Sequence, residues 1–217
     1  MENIKTNMDN QPIAANFFKQ GRWLTDYVTP RELEVQNLFE TITKGVVGDD
    51  RLAMCWKWVA NQVHYHTSIY AQLEVMGKIS IQKDYWMPPG LTIKIREGNC
   101  AVKAFLLASL LRNELPQNQV YCVLGNLIGI GGHAWVTVIL NGNEYIMEST
   151  RSDVSPLIPA ESTTRYEAVH YFNDQETYMI PGKTVMYPIT ACYSEWLKDY
   201  LDWSYIKGKN NGVGTNR

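Results

Sequence analysis

Cys100, His133 and Glu148 stand in the chain in the order of a nucleophile, a base and a group that orients the base. A cysteine attacks a carbonyl only as its thiolate, so it needs surroundings that stabilise negative charge. Gly98-Asn99-Cys100 opens a strongly apolar stretch running to about Arg112. Cys100 therefore falls at or near a helix start, where the helix dipole and the first-turn N–H groups favour a thiolate and can also hold an oxyanion. Cys100, Ala104, Leu107 and Leu111 line one helical face. That face sets the helix in the core and aims the thiol outward from its end. His133 begins a strand directly after Gly129-Ile130-Gly131-Gly132, a flexible loop, which places its imidazole at the end of a rigid element facing open space. In this reading His133 takes the thiol proton and later protonates a leaving group. Glu148 fixes the tautomer and supports the imidazolium, and Cys100 forms a thioester.

The turn between the two strands tests whether His133 and Glu148 can meet. Asn141-Gly142 favours a two-residue type I′ hairpin. Leu140 then pairs with Asn143, Trp135 opposes Glu148, and His133 opposes Thr150. Side chains alternate faces, so His133, Trp135, Glu148 and Thr150 share one face, with His133 and Glu148 as diagonal neighbours about 7–8 Å apart. A three-residue loop would put them on opposite faces.

The remaining elements must hold these pieces. Thr29-Pro30-Arg31-Glu32 predicts a helix start, with Thr29 as cap, Pro30 at the first position and Glu32 completing a capping box; Val35, Leu38, Phe39 and Ile42 form its stripe and Gly45 ends it. A second helix begins near Asp49 or Asp50, and Leu52, Cys55, Trp56, Val59 and Val63 repeat at helical spacing. Cys55 on that stripe reads as core. His64 to Arg96 reads as irregular and aromatic, with an ordered loop at Asp84 to Gly90. Strands are predicted over Gln119 to Leu124, His133 to Leu140, Glu144 to Thr150, Tyr166 to Phe172 and Thr177 to Ile180, and a last helix over Ala191 to Tyr205. Residues 1–28 read as an extension, 29–205 as one domain and 206–217 as a flexible tail.

Composition narrows the function. The 217 residues suit one domain with modest extensions, and 45% hydrophobic with 19% charged residues excludes wholesale disorder. A net charge of −2 gives no electrostatic footprint for nucleic acid. No run is apolar and long enough to span a bilayer, and the first twenty residues lack a secretory h-region. Four scattered cysteines without a Cys-x-x-Cys pair suggest free thiols in a reducing cytoplasm. Cys122 alternates with strand neighbours and reads as core; His170 and Cys192 have no informative context. His64-Tyr65-His66 could form half of a zinc site, but no flanking Cys or carboxylate cluster supports it. The glycine loop lacks the Lys-Ser/Thr of a phosphate loop. No metal and no organic cofactor is expected.

Arg96-Glu97-Gly98-Asn99-Cys100-Ala101-Val102-Lys103-Ala104, Gly132-His133-Ala134-Trp135-Val136 and Glu148-Ser149-Thr150 resemble the transglutaminase-like superfamily. Tyr85-Trp86 with Pro88 adds a resemblance to its small bacterial and phage members. The likeness covers about residues 50 to 150. It implies a papain-like α+β fold, with a catalytic helix packed on an antiparallel sheet and a Cys–His–Asp/Glu triad in the cleft between them. Asn99 replaces the common Asp, so any charge role there is missing. Glu148 replaces the frequent Asp, one methylene longer and chemically equivalent. The papain-type oxyanion Gln is absent, its position being Lys94. Trp86 is a candidate second oxyanion donor through its indole N–H. The implied function is acyl transfer on an amide of a protein or peptide. Hydrolysis by a peptidase or amidase is favoured, because the chain has no room for the extra domains of the large crosslinking enzymes. A transglutaminase with an amine acceptor, an inactive binding or scaffold protein on the same fold, and a metal-dependent hydrolase using His64 and His66 are the alternatives.

Overall fold

The computed structural model of the chain describes residues 23–66, 70–75, 78–83, 86–151 and 157–185. After a 3-10 turn at Leu24–Tyr27 come α1 (Leu33–Thr43), α2 (Asp50–Gln62), β1 (His64–Tyr65), β2 (Tyr70–Val75) and β3 (Lys78–Lys83). Then follow α3 (Pro89–Ile95), β4 (Glu97–Gly98), α4 (Cys100–Leu111), β5 (Val120–Leu127), β6 (Gly131–Leu140), β7 (Asn143–Met147), β8 (Ile158–Pro159), β9 (Tyr166–Phe172) and β10 (Thr177–Met179). Six strands form one antiparallel sheet in the order β10-β9-β5-β6-β7-β8. Helix α4 lies against β5 and β6, and α1, α2 and α3 pack around it. This is the expected α+β arrangement of a helix carrying Cys100 on an antiparallel sheet.

Every residue of α4 is buried, from Cys100 to Leu111. The one-sided stripe expected from Cys100, Ala104, Leu107 and Leu111 is thus widened to the full circumference, because the sheet covers one side and three helices cover the rest. On the sheet, Cys122, Leu124, Ala134, Val136, Val138 and Phe172 meet it in one apolar cluster. A helix buried all round must satisfy its polar side chains internally. Ser109 Oγ donates to the Phe105 carbonyl at 2.7 Å and accepts the Thr29 N–H at 2.9 Å. Lys103 Nζ donates to the carbonyls of Ala60 (3.1 Å) and Val63 (2.6 Å) at the end of α2.

Several sequence-based expectations hold in detail. Asn141 and Gly142 have φ of 52° and 80°, a type I′ turn, and Leu140 pairs with Asn143. Helix α2 starts at Asp50, and β9 spans Tyr166–Phe172. Others are corrected. Helix α1 begins at Leu33 with Glu32 as its N-cap, one turn after Thr29. The Glu32 carboxylate accepts the Thr29 hydroxyl at 2.8 Å and the Gly90 N–H at 3.1 Å, so it ties α1 to α3 rather than closing a capping box at Thr29. The stretch His64 to Arg96 is not irregular: it holds the β2–β3 hairpin and α3, whose first residue Pro89 suits that position. Gly131 and Gly132 belong to β6, paired with Leu127 and Asn126, so the glycine loop is a tight hairpin rather than a flexible segment. The last helix and the tail predicted after Val185 lie outside the described residues, as do Asp84 and Tyr85.

Gly125 sits at a register shift in β5, opposite both His133 and Ala168. A Cβ there would meet the Glu167 carbonyl oxygen at 2.2 Å and Trp135 Cη2 at 2.5 Å. The missing side chain is the space that the Trp135 ring occupies. Gly125→Ala is therefore expected to destabilise the fold by about 1–3 kcal/mol through overpacking, measured by urea unfolding; an unchanged midpoint would mean the sheet yields at this bulge.

Candidate active site

The chain approaches Cys100 along a fixed track. Arg96 ends α3 in the left-handed region (φ 62°), its guanidinium lying over the Trp58 ring at 4.6 Å. The His64 N–H donates to the Arg96 carbonyl at 2.8 Å and the His66 N–H to the Gly98 carbonyl at 3.1 Å, pairing β1 with β4 in parallel. Gly98 must be small, since a Cβ would come within 2.8 Å of Val102 Cγ1. Asn99 is extended and caps α4: its Oδ1 accepts the Val102 N–H at 3.1 Å. Cys100 is the first helical residue, at the positive end of a twelve-residue helix, as its sequence context implies.

His133 lies in β6 and Glu148 one residue beyond β7. His133 Nε2 and Glu148 Oε2 are 2.7 Å apart. The β6–β7 ladder runs to the Val136–Met147 pair, so the predicted strand to Thr150 is shorter than expected. It stops because Glu148 is engaged elsewhere. Its carbonyl accepts Trp56 Nε1–H at 2.9 Å, and its Oε1 accepts the N–H of Thr150 at 2.9 Å and the Thr150 hydroxyl at 2.7 Å. The shared face deduced from the turn is realised: the His133 ring stacks on Trp135 at 6.1 Å and meets the Glu148 carboxylate.

Burial and charge set the protonation of this pair. Burial alone would lower the His133 pKa, but the Glu148 charge and hydrogen bonding with Cys100 and Glu148 outweigh it and hold the imidazolium well above its usual range. Burial alone would raise Glu148, but the His133 charge and the bonds from His133 and Thr150 hold it well below the usual carboxylate range. With Nε2 committed to Glu148, Nδ1 is the nitrogen that remains for Cys100, whose thiol acts on the ring. A second buried cation lies one turn along α4: burial pulls the Lys103 ammonium down to about 8, against the attraction of Glu148.

Cys100 and Glu148 are 0% exposed and His133 is 1% exposed. The expectation of a thiol aimed outward and an imidazole facing open space is therefore corrected. The aromatic rings of Trp135 and Tyr166 pack beside His133, and α2 closes over Glu148 through Trp56. Trp86, the sequence candidate for an oxyanion donor, is buried with its ring edge-on to Tyr27 (5.6 Å) and Phe105 (5.0 Å), which sets it against the second turn of α4. His64 and His66 stand apart from the site; His66 lies 3.8 Å from Glu97, both half-exposed, and among the described residues no three His, Cys, Asp or Glu gather as a metal would require. Tyr166 was not foreseen. Its hydroxyl donates to Glu148 Oε2 at 3.0 Å from β9, a strand separated from β7 by β5 and β6. No local pattern signals such a contact. Thr150 had a signal, because a hydroxyl two residues after a carboxylate is the spacing of a local turn.

The pKa directions fix a pH window. The lowered Glu148 value contributes stability that is present above the ordinary carboxyl value of about 4.3 and lost as pH falls toward the folded value. The raised His133 value contributes stability that is complete below the ordinary imidazole value of about 6.5 and lost as pH rises toward the folded value. Urea unfolding should therefore show a stability plateau between about pH 4.5 and 6.5 with a decline on either side. Glu148→Gln should cost about 3–5 kcal/mol within the plateau and flatten both slopes. Slopes that survive the substitution would show that other groups carry them.

No family model matches the chain, and no curated protein matches it. Among solved structures, LapG of Legionella pneumophila aligns over 81% of this chain and 98% of its own, with 16% identity and a TM-score of 0.44. Its calcium-bound form aligns over 76% and 97%, with 15% identity and a TM-score of 0.42. A candidate cysteine protease from Cytophaga hutchinsonii aligns over 75% of this chain and 56% of its own, with 16% identity and a TM-score of 0.42.

Proposed function

We propose that the chain is a cysteine-dependent acyl-transfer enzyme with a transglutaminase-like, papain-like core. It hydrolyses an amide bond of a protein or peptide through a thioester, as a peptidase or amidase. The observation that carries this reading is the buried 2.7 Å bond between His133 Nε2 and Glu148 Oε2, which leaves Nδ1 as the ring nitrogen not taken by the carboxylate, with Cys100 at the start of α4.

The chemistry follows from those atoms. His133 holds the thiol proton as an imidazolium, supported by Glu148, and Cys100 is left as a thiolate at the positive end of α4. The sulfur attacks the amide carbon, and the carbonyl π pair moves onto oxygen. When that pair returns, the C–N bond breaks and the leaving nitrogen takes the proton from His133. Water then gives a proton to His133 and adds to the thioester. Collapse of this second intermediate releases the carboxylic acid and returns the sulfur to its thiolate. An amine in place of water would make the same site a transglutaminase. Glu148 stays ionised throughout, because its donors stabilise only the charged form.

The test is the rate of iodoacetamide alkylation at each cysteine against pH, resolved by peptide mass spectrometry. Cys100 should react roughly 10²-fold faster than Cys55 at pH 6, and its reaction should persist to about pH 5. Cys55 is a fitting internal reference, since burial pushes its thiol up to about 12. His133→Ala should remove the acidic-pH reactivity. Alkylation of Cys100 at the pace of Cys55 and Cys122, indifferent to His133, would overturn the reading.

A further inference from the structure

We propose that Asn99 supplies a side-chain oxyanion donor in place of the papain-type glutamine, through its Nδ2–H. The proposal rests on the acyl-transfer reading above. The position of the papain-type glutamine is occupied by Lys94, whose ammonium is drawn to the surface by Glu34 at 2.8 Å. It cannot serve the site. Asn99 stands directly before the nucleophile and is 0% exposed. Its amide is oriented without ambiguity: the Val102 N–H is a donor, so the group facing it at 3.1 Å must be Oδ1. The capping bond therefore uses the oxygen and leaves Nδ2 on the other limb of the amide. Among the described residues Nδ2 is buried and has no hydrogen-bond partner.

A buried amide N–H without an acceptor is costly in a folded protein. Here the cost is borne by the resting protein, and the residue next to the nucleophile keeps a donor in reserve for the charge that develops in the reaction. As the sulfur adds to the carbonyl carbon, the carbonyl oxygen takes the π pair and becomes an anion. It then accepts Nδ2–H at the positive end of α4. As the π bond re-forms and the leaving group departs, the oxygen loses its charge and the bond weakens. The donor is fixed in advance by the Oδ1 bond to the helix, so no reorganisation is needed during the step. The residue common at this position in the resembled family, Asp, could cap the helix equally well but could not donate. Asn99 performs both roles with one planar amide.

The test separates two reactions of the same thiol. Alkylation by iodoacetamide passes through no oxyanion. Acylation by p-nitrophenyl acetate does, and its leaving phenolate needs no proton from His133. Both rates are measured on the full chain for wild type, Asn99→Ser, Asn99→Asp and Cys100→Ala. Ser and Asp are both good N-caps, so both variants should fold, checked by thermal unfolding. The acylation-to-alkylation ratio is expected to fall roughly 10²–10³-fold in Asn99→Asp and by a similar factor in Asn99→Ser. Taking the ratio cancels the effect of the added Asp charge on the thiol, and the neutral Asn99→Ser separates loss of the donor from repulsion of the oxyanion by Asp; a ratio that falls only in Asn99→Asp would overturn the donor role. A ratio unchanged in both variants would overturn the role of Asn99 while leaving the nucleophile standing. Acylation of wild type no faster than of Cys100→Ala would overturn the acyl-transfer reading itself, and this proposal with it.

Discussion

A carboxylate with no exposure to water governs this molecule. Removing an ion of that size from water costs several kcal/mol, about 20 in the idealised limit, and the cost must be offset by donors of good geometry. Glu148 finds four hydrogen bonds: two from Thr150, one from His133 Nε2 and one from the Tyr166 hydroxyl. These donors come from the loop after β7, from β6 and from β9. The carboxylate can be buried only if the β6–β7 hairpin has its two-residue register and β9 lies on the far side of β5. Gly125 serves the same end. It makes room for the Trp135 ring, which packs edge-on to Tyr166 at 5.1 Å.

Helix α4 is the second constraint, and α2 joins it to the first. Lys103 reaches out of α4 to the carbonyls that end α2, the place where a cation best satisfies unpaired acceptors. One to two turns earlier on α2, Trp56 donates to the main chain of Glu148. One helix thus ties the strand end that carries the carboxylate to the helix that carries the thiol. Lys103 also offsets, through space, the negative charge that Glu148 brings into the interior. Burial lowers its pKa to about 8, and Glu148 and the two carbonyl partners favour the cation in spite of that.

What the sequence reveals of this arrangement follows from the range of each interaction. The Asn-Gly turn fixes a register within ten residues, so the common face of His133, Trp135 and Glu148 can be deduced from it. The start of α4 is legible because Gly98, Asn99 and the apolar run after them are adjacent. Helix α1 begins a turn late because Glu32 is claimed by Gly90, 58 residues away, and no local rule contains that contact. The hairpin of β2 and β3 carries a local signal, since Ala71, Leu73 and Val75 alternate with Gln72 and Glu74, and Ile79 and Ile81 alternate with Lys78, Ser80 and Gln82, but each run is only six residues long. The openness assigned to Cys100 and His133 fails for a further reason. Position at the end of an element says where a side chain starts, whereas its exposure depends on which distant rings close over it.

The choice of Asn at position 99 has an electrostatic consequence that reaches beyond its hydrogen bonds. The pocket already contains one ionised carboxylate, and His133 is shared between that carboxylate and the thiol. A second carboxylate beside Cys100 would favour the imidazolium further. It would also repel the thiolate at the distance of adjacent side chains, where the interior screens charge poorly. It would oppose, too, the negative oxygen that forms when the thiolate attacks. A neutral amide avoids both repulsions and leaves the dipole of α4 acting on the sulfur undiminished. Asn99 thus keeps the cap that α4 requires and adds no charge beside the His133–Glu148 pair.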